Sequence, residues 1–480
     1  MDFSLLTAGI VPLFYLAGFV AAGHAALTNR TAQGAVAWTV SLVTFPFLAL
    51  PAYLVFGRGR FSGMAEAFRQ NREEADRFLE GFKEALEPYR VPGRDRVSWR
   101  QAVERLTGHE VLRDNAVELL VDGEATFESL LAGIASAEAY VLFQFYIIRD
   151  DDLGGRVRDA LVERARAGVH VQVLYDEVGS LGISRGFLRS LTDAGVQVSP
   201  FRSTRGRGNR FQLNFRNHRK MVVVDGRVGW LGGLNVGDEY VGRHETLTPW
   251  RDTHLRIRGP IVLQLQLTLL ADWYWATRQR PEVRWTPSPA TPEREAGEGQ
   301  HAIILPTGPV TEHETASLFF VAALAAAQDR AWIAAPYFVP DDAVMKALKL
   351  AALRGVDVRI LTTLQSDSVP VRLAAYHYRY RLRGLGIRFH AYAPGFMHQK
   401  ALLVDDYLSY VGSHNFDNRS FRLNFEVGAV VVDAAFAREV ATMLERDLAH
   451  SQPLDPEEFD RRGIGWRLGV QLARLASPLL

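Results

Sequence analysis

The chain has 480 residues, of which 48% are hydrophobic and 23% are charged. This length exceeds what one ordinary hydrophobic core can organise, and the composition is that of a folded protein, so we expect two or more domains. A net charge of +1 excludes a strong overall attraction to nucleic acid. The absence of cysteine excludes disulfides, thiolate nucleophiles and cysteine-based zinc sites.

Two long uncharged segments open the sequence. Leu5 to Leu27 and Gly34 to Phe56 contain no Asp, Glu, Lys or Arg, and a helix of either length would reach roughly 34 Å, enough to cross a bilayer. Only residues 28–33 separate them, so the sequence predicts a transmembrane helical hairpin over residues 1–60. Three prolines would kink these helices, which leaves a pair of buried core helices as the alternative.

Arginines are distributed unevenly around this predicted hairpin. Arg58, Arg60, Arg69 and Arg72 follow its second helix, whereas the connecting loop contains Arg30 alone. Because positively charged flanks stay in the cytoplasm, we expect the bulk of the protein on the cytoplasmic side.

The remaining sequence predicts an α/β fold. Residues 61–105 indicate an amphipathic helical linker, and from residue 106 onward short β-rich runs alternate with helical patterns. Arg166–Leu174 and Leu353–Leu361 are visibly the same unit, so the chain contains one internal duplication. Residues 281–300, rich in proline, predict a solvated linker.

The duplication predicts two lobes of the same architecture. We expect them over residues 106–280 and 301–480, each with a central mixed sheet flanked by helices, and related by pseudo-twofold symmetry. Both lobes contain the motif His-x-Lys-x-x-x-x-Asp, followed by a small-residue turn and an asparagine. Its residues recur at an offset of 180 positions and are His218, Lys220, Asp225 and Asn235 in the first lobe and His398, Lys400, Asp405 and Asn415 in the second.

The spacing of the motif has a chemical interpretation. Residues two apart on a strand share a face, so the histidine and lysine of each motif point the same way. An ammonium offsets the charge of a phosphoryl group while an imidazole attacks or protonates it. Two such faces supply a nucleophile and a general acid, the minimum for double-displacement phosphoryl transfer without a metal. A metal site is disfavoured because the lysine would lie beside the ion.

The two segments resemble the paired motifs of the phospholipase D superfamily over roughly residues 110–450. With the N-terminal hairpin, nearly the whole chain is similar to the bacterial cardiolipin synthases of that superfamily. The resemblance implies a phosphatidyl-histidine intermediate, with His218 as the nucleophile and His398 as the acid and base.

The resemblance also implies roles for neighbouring polar residues. An acidic residue would orient each histidine, and by position Glu426 fits His398 and Asp252 fits His218. The groups expected to bind phosphate oxygens are Lys220, Lys400, Asn235, Asn415 and Ser413, the last of which has Gly233 as its counterpart.

Other features have two interpretations each. Asp225 and Asp405 belong to the catalytic motif, yet we expect them to be structural and to fix the following turn. Tyr146 and Tyr337 either line the site or are core tyrosines. Trp466–Leu480 either lies on a membrane surface or packs on the second lobe. Six arginines between residues 202 and 219 either bind anionic headgroups or form a solvated basic loop.

The function implied by the resemblance is transfer of a phosphatidyl group from one phosphatidylglycerol to another with release of glycerol. The expected partners are phosphatidylglycerol, other anionic lipids and the bilayer, with no cofactor, metal or nucleic acid. The expected location is the inner membrane of a bacterium, as a multi-pass protein with cytoplasmic lobes. A membrane phospholipase D that forms phosphatidic acid would use the same residues, and a membrane-tethered nuclease is a weaker alternative. The sequence predicts no oligomeric state.

Overall fold

The computed structural model describes residues 3–57, 61, 64, 80–92, 99–203, 214–290, 299–310, 313–366, 368–455 and 457–479. Its α-helices are Phe3–Thr28, Ala32–Thr44, Pro46–Phe56, Trp99–Thr107, Asp122–Ala135, Asp152–Arg166, Arg185–Asp193, Ile261–Thr277, Thr315–Ala326, Asp342–Leu353, Val369–Arg381, Asn418–Arg422, Ala434–Ala449, Glu458–Arg461 and Ile464–Leu475. Contacts divide the chain into two units, the first formed by residues 1–72, 202–216 and 309–312 and the second by the rest.

The first unit contains the three N-terminal helices. Gly18 allows the first and second helices to approach closely, since a Cβ at Gly18 would lie 2.5 Å from the carbonyl oxygen of Leu42. A small apolar cluster that includes Leu42, Ala49 and Tyr53 joins the second and third helices to the first. Within the described residues one helical stretch, Ile10–Thr28, is long and apolar enough to span a membrane, with a mean hydropathy of 1.8.

The prediction of one continuous helix over Gly34–Phe56 is wrong. The structure has two shorter helices, Ala32–Thr44 and Pro46–Phe56, because Phe45 leaves the helical backbone conformation (φ −132°, ψ 60°). Pro46 is the cause, since proline has no backbone N–H to continue a helix but fits the first turn of a new one. Each piece is well short of the roughly 30 Å core of a bilayer.

The second unit is built on strands that recur in two sets. The strands are β1 (Leu112–Val121), β2 (Tyr140–Phe145), β3 (His170–Asp176), β4 (Gln197–Phe201), β5 (Arg216–Asn217), β6 (Met221–Val224), β7 (Val228–Gly232), β8 (Trp250–Arg251), β9 (Thr253–Arg258), β10 (Gln300–Thr307), β11 (Arg330–Ala334), β12 (Phe338–Val339), β13 (Asp357–Thr363), β14 (Arg388–Tyr392), β15 (Phe396–Met397), β16 (Ala401–Val404), β17 (Leu408–Gly412), β18 (Phe416–Asp417), β19 (Asn424–Val432) and β20 (Ser451–Pro453).

One continuous sheet runs through both halves of this unit. Its order is β20-β14-β13-β11-β16-β17-β19-β10-β1-β9-β7-β6-β2-β3-β4. Outward from the β1–β10 junction, equivalent strands follow in the same order in both directions, and β20 adds one strand at the edge of the second half. The pairs β2–β3, β3–β4, β11–β13 and β13–β14 are parallel, whereas the inner pairs, such as β2–β6, and the edge pair β14–β20 are antiparallel. The predicted α/β class with mixed sheets is confirmed, and the two sheets are joined into one.

The junction between the halves depends on buried polar contacts. Strands β1 and β10 pair antiparallel with an irregularity between Leu112 and Asn115. The fully buried Asn115 side chain donates to Leu112 O at 2.8 Å and to Gln300 O at 3.1 Å, and it accepts from Ile261 N at 2.9 Å. These bonds satisfy the groups that the irregularity leaves unpaired, so the junction is a defined feature of the fold.

The halves also share their apolar core. One cluster combines Leu142 and Ile257 of the first half with Ile304 and Val431 of the second. The helix Trp99–Thr107, which precedes the first half in sequence, places Val103 in the separate core of the second half. The two halves therefore bury apolar surface jointly, which favours their folding as one body.

Candidate active site

The two motifs occupy equivalent places in the two halves of the sheet. His218 and Lys220 directly precede β6, and His398 and Lys400 directly precede β16, and both strands are apolar and buried. All four motif side chains are buried, the lysines at 0% and 1% exposure. Four ionisable groups would not be buried together for stability alone, which points to a functional site.

Each motif histidine contacts the carboxylate of the opposite half. His218 Nδ1 lies 2.8 Å from Glu426 Oε2, and His398 Nδ1 lies 3.0 Å from Asp252 Oδ2. The sequence predicts the reverse pairing, of Glu426 with His398 and of Asp252 with His218, and that prediction is wrong. Both carboxylates have no exposed surface.

The backbone explains this exchange of partners. Strand β15, which leads to His398, pairs in parallel with β8, which leads to Asp252. His398 N donates to Arg251 O at 2.8 Å, and His218 N donates to Phe425 O at 2.9 Å. The segment that carries each histidine therefore runs beside the segment that carries the carboxylate of the other half. This places each histidine side chain against that carboxylate.

Glu426 is held by uncharged donors. Besides His218, it accepts hydrogen bonds from Ser413 Oγ at 2.5 Å, Ser420 Oγ at 2.8 Å and Asn424 Nδ2 at 3.2 Å. Burial raises the pKa of Glu426, against the opposing positive charge of nearby groups. The donors fit an ionised carboxylate, which only accepts hydrogen bonds.

Asp252 has a charged neighbour instead. It accepts from Thr253 N at 2.8 Å, and Lys400 Nζ lies 3.9 Å from its Oδ2. Burial acts to raise the pKa of Asp252, but the charge of Lys400 and the hydrogen bond from His398 outweigh it, and the pKa is lowered. Gly233 leaves the room for this carboxylate, because a Cβ at Gly233 would lie 2.0 Å from Asp252 Oδ1.

The two lysines differ in their contact with the imidazoles. Lys220 Nζ donates to His218 O at 2.6 Å, and burial lowers the pKa of Lys220 well below its usual value. Lys400 Nζ donates to His398 O and also lies 2.7 Å from His398 Nδ1. An imidazole nitrogen carries either a hydrogen or a lone pair. His398 Nδ1 can therefore donate to Asp252 or accept from Lys400, but not both.

His218 is poised as a neutral imidazole. Burial, with the charges of Lys220 and Lys400, holds the pKa of His218 well below its usual value of 6.5. Donation from Nδ1 to Glu426 leaves the Nε2 lone pair for chemistry. His398 also lowers the pKa of His218 through its charge, so the two imidazoles lie within electrostatic range of each other.

The paired tyrosines flank the histidines. The ring centroids of Tyr146 and His218 are 4.9 Å apart, and those of Tyr337 and His398 are 6.3 Å apart. Lys220 Nζ lies 5.3 Å from the centroid of the Tyr146 ring. Both tyrosines are partly buried, which favours the interpretation that they line the site.

Two of the predicted phosphate-binding side chains are engaged elsewhere. Ser413 Oγ donates to Glu426 and accepts from Val427 N, so its predicted phosphate contact is replaced by a role in holding that carboxylate. The Asn235 amide bonds Ile147 N and the Tyr240 hydroxyl. Asn415 Oδ1 is buried and accepts no hydrogen bond from the described residues, so its amide is the better placed of the two asparagines for a ligand.

The motif aspartates are remote from the histidines. Asp225 accepts from the backbone N–H groups of residues 138–140, and Asp405 from those of residues 328–330. Both adopt positive φ, 53° and 50°. Seven residues of extended chain place each roughly 20 Å from its motif histidine. We therefore correct their inclusion among the catalytic residues, since they secure the chain that enters β2 and β11.

A buried arginine was not recognised in the sequence as part of the site. Arg219 forms an ion pair with Asp272 at 2.7 Å, and its Nε donates to the backbone oxygen of Glu426 at 3.0 Å. It is 6% exposed, so it does not belong to a solvated basic loop. Arg205, Arg207 and Arg210 of that predicted loop lie outside the described residues.

A second buried arginine of the same half supports the other carboxylate, Asp252. Arg251 forms an ion pair with Asp447 at 2.8 Å and donates to the backbone oxygen of Asp252 at 2.6 Å. Both orienting carboxylates therefore have their main chain fixed by a buried arginine. The sequence contains one indication of the Arg219 ion pair, because Asp272 is an acidic residue in the otherwise apolar helix Ile261–Thr277. Within the described residues no group of three or more His, Asp or Glu side chains could hold a metal.

Comparisons with known proteins agree with this geometry. The family described as "Cardiolipin synthase, PLD-like domain" matches residues 130–255 and 320–448. Cardiolipin synthase A of Pseudomonas aeruginosa strain PAO1 is 48% identical over 99% of this chain and 96% of its own length. That of Pseudomonas fluorescens strain Pf-5 is 44% identical over 98% of each chain.

A solved structure shares the fold. Phosphatidylserine synthase of Haemophilus influenzae Rd KW20 matches with a TM-score of 0.61 over 80% of this chain and 100% of its own, at 14% identity. At that identity the likeness concerns architecture alone. The duplicated motifs, the shared site and the full-length relatives together show that the chain belongs to the cardiolipin synthase family of phospholipase D-like proteins.

Proposed function

We propose that the chain transfers a phosphatidyl group from one phosphatidylglycerol to the glycerol hydroxyl of a second, forming cardiolipin and releasing glycerol. The observation that carries this proposal is the pair of buried histidines, each with a carboxylate from the opposite half and a lysine beside it. Family membership supports the same reaction, because the curated relatives are cardiolipin synthases over nearly the full chain.

In the first step His218 Nε2 attacks the phosphorus of the donor lipid. The P–N bond forms as the bond to the glycerol oxygen breaks, and His398 Nε2–H gives its proton to that oxygen. The Nδ1 contacts support this division: His218 Nδ1 meets Glu426 alone among the described residues, which frees its Nε2 lone pair. His398 acts as the imidazolium: its Nδ1–H donates to Asp252, whose charge stabilises the cation, and its Nε2–H protonates the leaving oxygen.

The second step reverses the roles of the groups. His398 accepts the hydroxyl proton of the second phosphatidylglycerol, whose oxygen attacks the phosphorus and breaks the P–N bond. His218 returns to its neutral form, and atoms and charge balance over the cycle. The ammonium groups of Lys220 and Lys400 would stabilise the phosphoryl oxygens in both steps, since a positioned positive charge acts strongly in a dry site.

The proposed location is the bacterial inner membrane, with a multi-pass anchor and cytoplasmic lobes. The long apolar helix Ile10–Thr28 supports an anchor, and the arginines that follow the second apolar segment support the cytoplasmic side. Because the chain has no cysteine, a single cysteine introduced at an exposed position such as His170 would report sidedness by its reaction with an impermeant maleimide in spheroplasts. Labelling from outside would contradict the cytoplasmic placement.

Product analysis tests the reaction. Purified full-length protein in phosphatidylglycerol vesicles should form cardiolipin and free glycerol in equal amounts. Dominant formation of phosphatidic acid would replace the proposal with a hydrolase, in which water completes the second step. Activity on oligonucleotides comparable to that on lipid would favour a nuclease instead.

A further inference from the structure

The C-terminal helix Ile464–Leu475 has an apolar stripe that faces outward. Ile464, Leu468, Leu472 and Leu475 are 71%, 59%, 67% and 75% exposed. At about 100° per residue these positions fall within an arc of roughly 80° on the helix. Leucine and isoleucine this exposed, in one continuous stripe, mark a contact surface.

The opposite face of the helix is firmly attached to the second half of the sheet unit. Trp466 packs against Tyr376 with ring centroids 4.7 Å apart, and Val470 is fully buried. Ala473 joins the apolar cluster of Val339 and Val371. The helix is therefore held with its outward side fixed, and the exposed stripe does not result from a frayed end.

The charge beside the stripe is positive. From Arg461 to the C-terminus the sequence contains four arginines and no Asp or Glu. Arg461 and Arg462 are paired with acidic residues, whereas Arg467 and Arg474, on one flank of the stripe, form no ion pair with the described residues. The nearby His377 has its pKa lowered to about 4, mainly by burial and further by the charges of Arg474 and Arg381.

We propose that this helix lies on the surface of an anionic bilayer, with the stripe among the acyl chains and the two arginines at the phosphates. An apolar stripe bordered by arginines is the pattern of interfacial helices, and it fits a lipid surface better than a second, equally basic copy of the same helix. The apolar cluster that holds Ala473 also contains Tyr337, which flanks His398. This contact would bring one wall of the site close to the lipid surface. The proposal rests on the proposed function but does not depend on which acceptor is used.

A fluorescent probe on the stripe tests the proposal directly. A single cysteine at position 472 of the full chain, labelled with an environment-sensitive dye, should shift to the blue and be quenched by brominated acyl chains in phosphatidylglycerol nanodiscs. The matched control is a cysteine at position 353, because Leu353 is 72% exposed on another helix of the same half. That dye should be unaffected.

The arginines provide a second test. R467Q/R474Q in nanodiscs of low phosphatidylglycerol content should lose most of the quenching, and added salt should reproduce the loss in the parent. Equal quenching at positions 472 and 353, or none at 472, overturns the proposal. Ready disulfide formation between two copies at position 472 without lipid quenching would overturn it in favour of self-association. Because the readout is a probe position, failure here is distinct from failure to form cardiolipin.

Discussion

The two histidine–carboxylate pairs of the site use the same motif but differ in what surrounds each carboxylate. Glu426 is held by hydroxyl and amide donors, whereas Asp252 lies beside the charge of Lys400. The difference coincides with Ser413 in one half and Gly233 in the other. Duplication therefore preserved the reacting residues while the residues around them diverged, which gives the two imidazoles different protonation preferences.

The largest expected effect separates the two histidines. His218→Ala should reduce cardiolipin synthesis by on the order of 10⁴ or more, and His398→Ala by roughly 10²–10⁴. With a phosphatidyl nitrophenyl ester, whose leaving group needs no acid, His398→Ala should still form a covalent adduct visible by intact-protein mass spectrometry. An adduct in His218→Ala would contradict the assignment, and His170→Ala, an exposed histidine, is the control.

Neutral replacements of the two carboxylates should show the same difference between the two histidine–carboxylate pairs, with a smaller loss of activity. Asp252→Asn and Glu426→Gln should each lower kcat by on the order of 10³, because the imidazoles lose their orienting acceptor. The nitrophenyl ester should restore most of the rate to Asp252→Asn but little to Glu426→Gln. Equal rescue of both variants would show that the two pairs are interchangeable.

The buried arginine pairs should matter for stability in both halves. Asp272→Asn leaves the buried Arg219 without its ion-pair partner, so we expect a loss of about 3–5 kcal/mol in the free energy of unfolding. Asp447→Asn should cost less, because Arg251 keeps Asp122 at 3.2 Å. Thermal unfolding in detergent measures this loss. Asp159→Asn, which removes a largely exposed ion pair, should cost less than about 1 kcal/mol.

Acid should destabilise both halves through their buried neutral histidines. Burial lowers the pKa of His254 to about 3 and that of His414 to about 4. Because these values lie below the unfolded value, the unfolded chain takes up protons first as the pH falls, and stability declines from about pH 6.5 towards pH 4. Each histidine adds a slope of about 1.4 kcal/mol per pH unit. His254→Gln or His414→Gln should reduce the measured slope, and an unchanged slope in both would contradict this cause.

The smallest expected effect tests the divergent position itself. Ser413→Ala removes one hydrogen bond to Glu426, so we expect a loss of about 1–2 kcal/mol, or roughly tenfold in kcat. Gly233→Ala should be worse, because its Cβ would overlap Asp252. Measuring kcat of both variants under the same conditions shows which substitution is more damaging. An unchanged kcat in Gly233→Ala would contradict the packing argument.

The sequence predicts the duplication, the mixed sheets and the paired motif histidines because these depend on local spacing. It predicts the wrong carboxylate for each histidine, since Asp252 and Glu426 occupy equivalent positions in their halves. That pairing is decided by the parallel contact of β8 with β15, a long-range feature. Arg219 was grouped with nearby arginines in the sequence, and only the fold shows that Asp272 is its partner.

The exchange of carboxylates has a consequence for the newly made chain. His218 and Glu426 are separated by 208 residues, so at synthesis rates of roughly 5–20 residues per second the histidine emerges about 10–40 seconds before its partner. A ribosome-bound or prematurely terminated chain carries the first imidazole without its acceptor and without the second motif. Catalysis thus begins only after Glu426 has been made, and products truncated before it are expected to be inert towards the lipids of the cell.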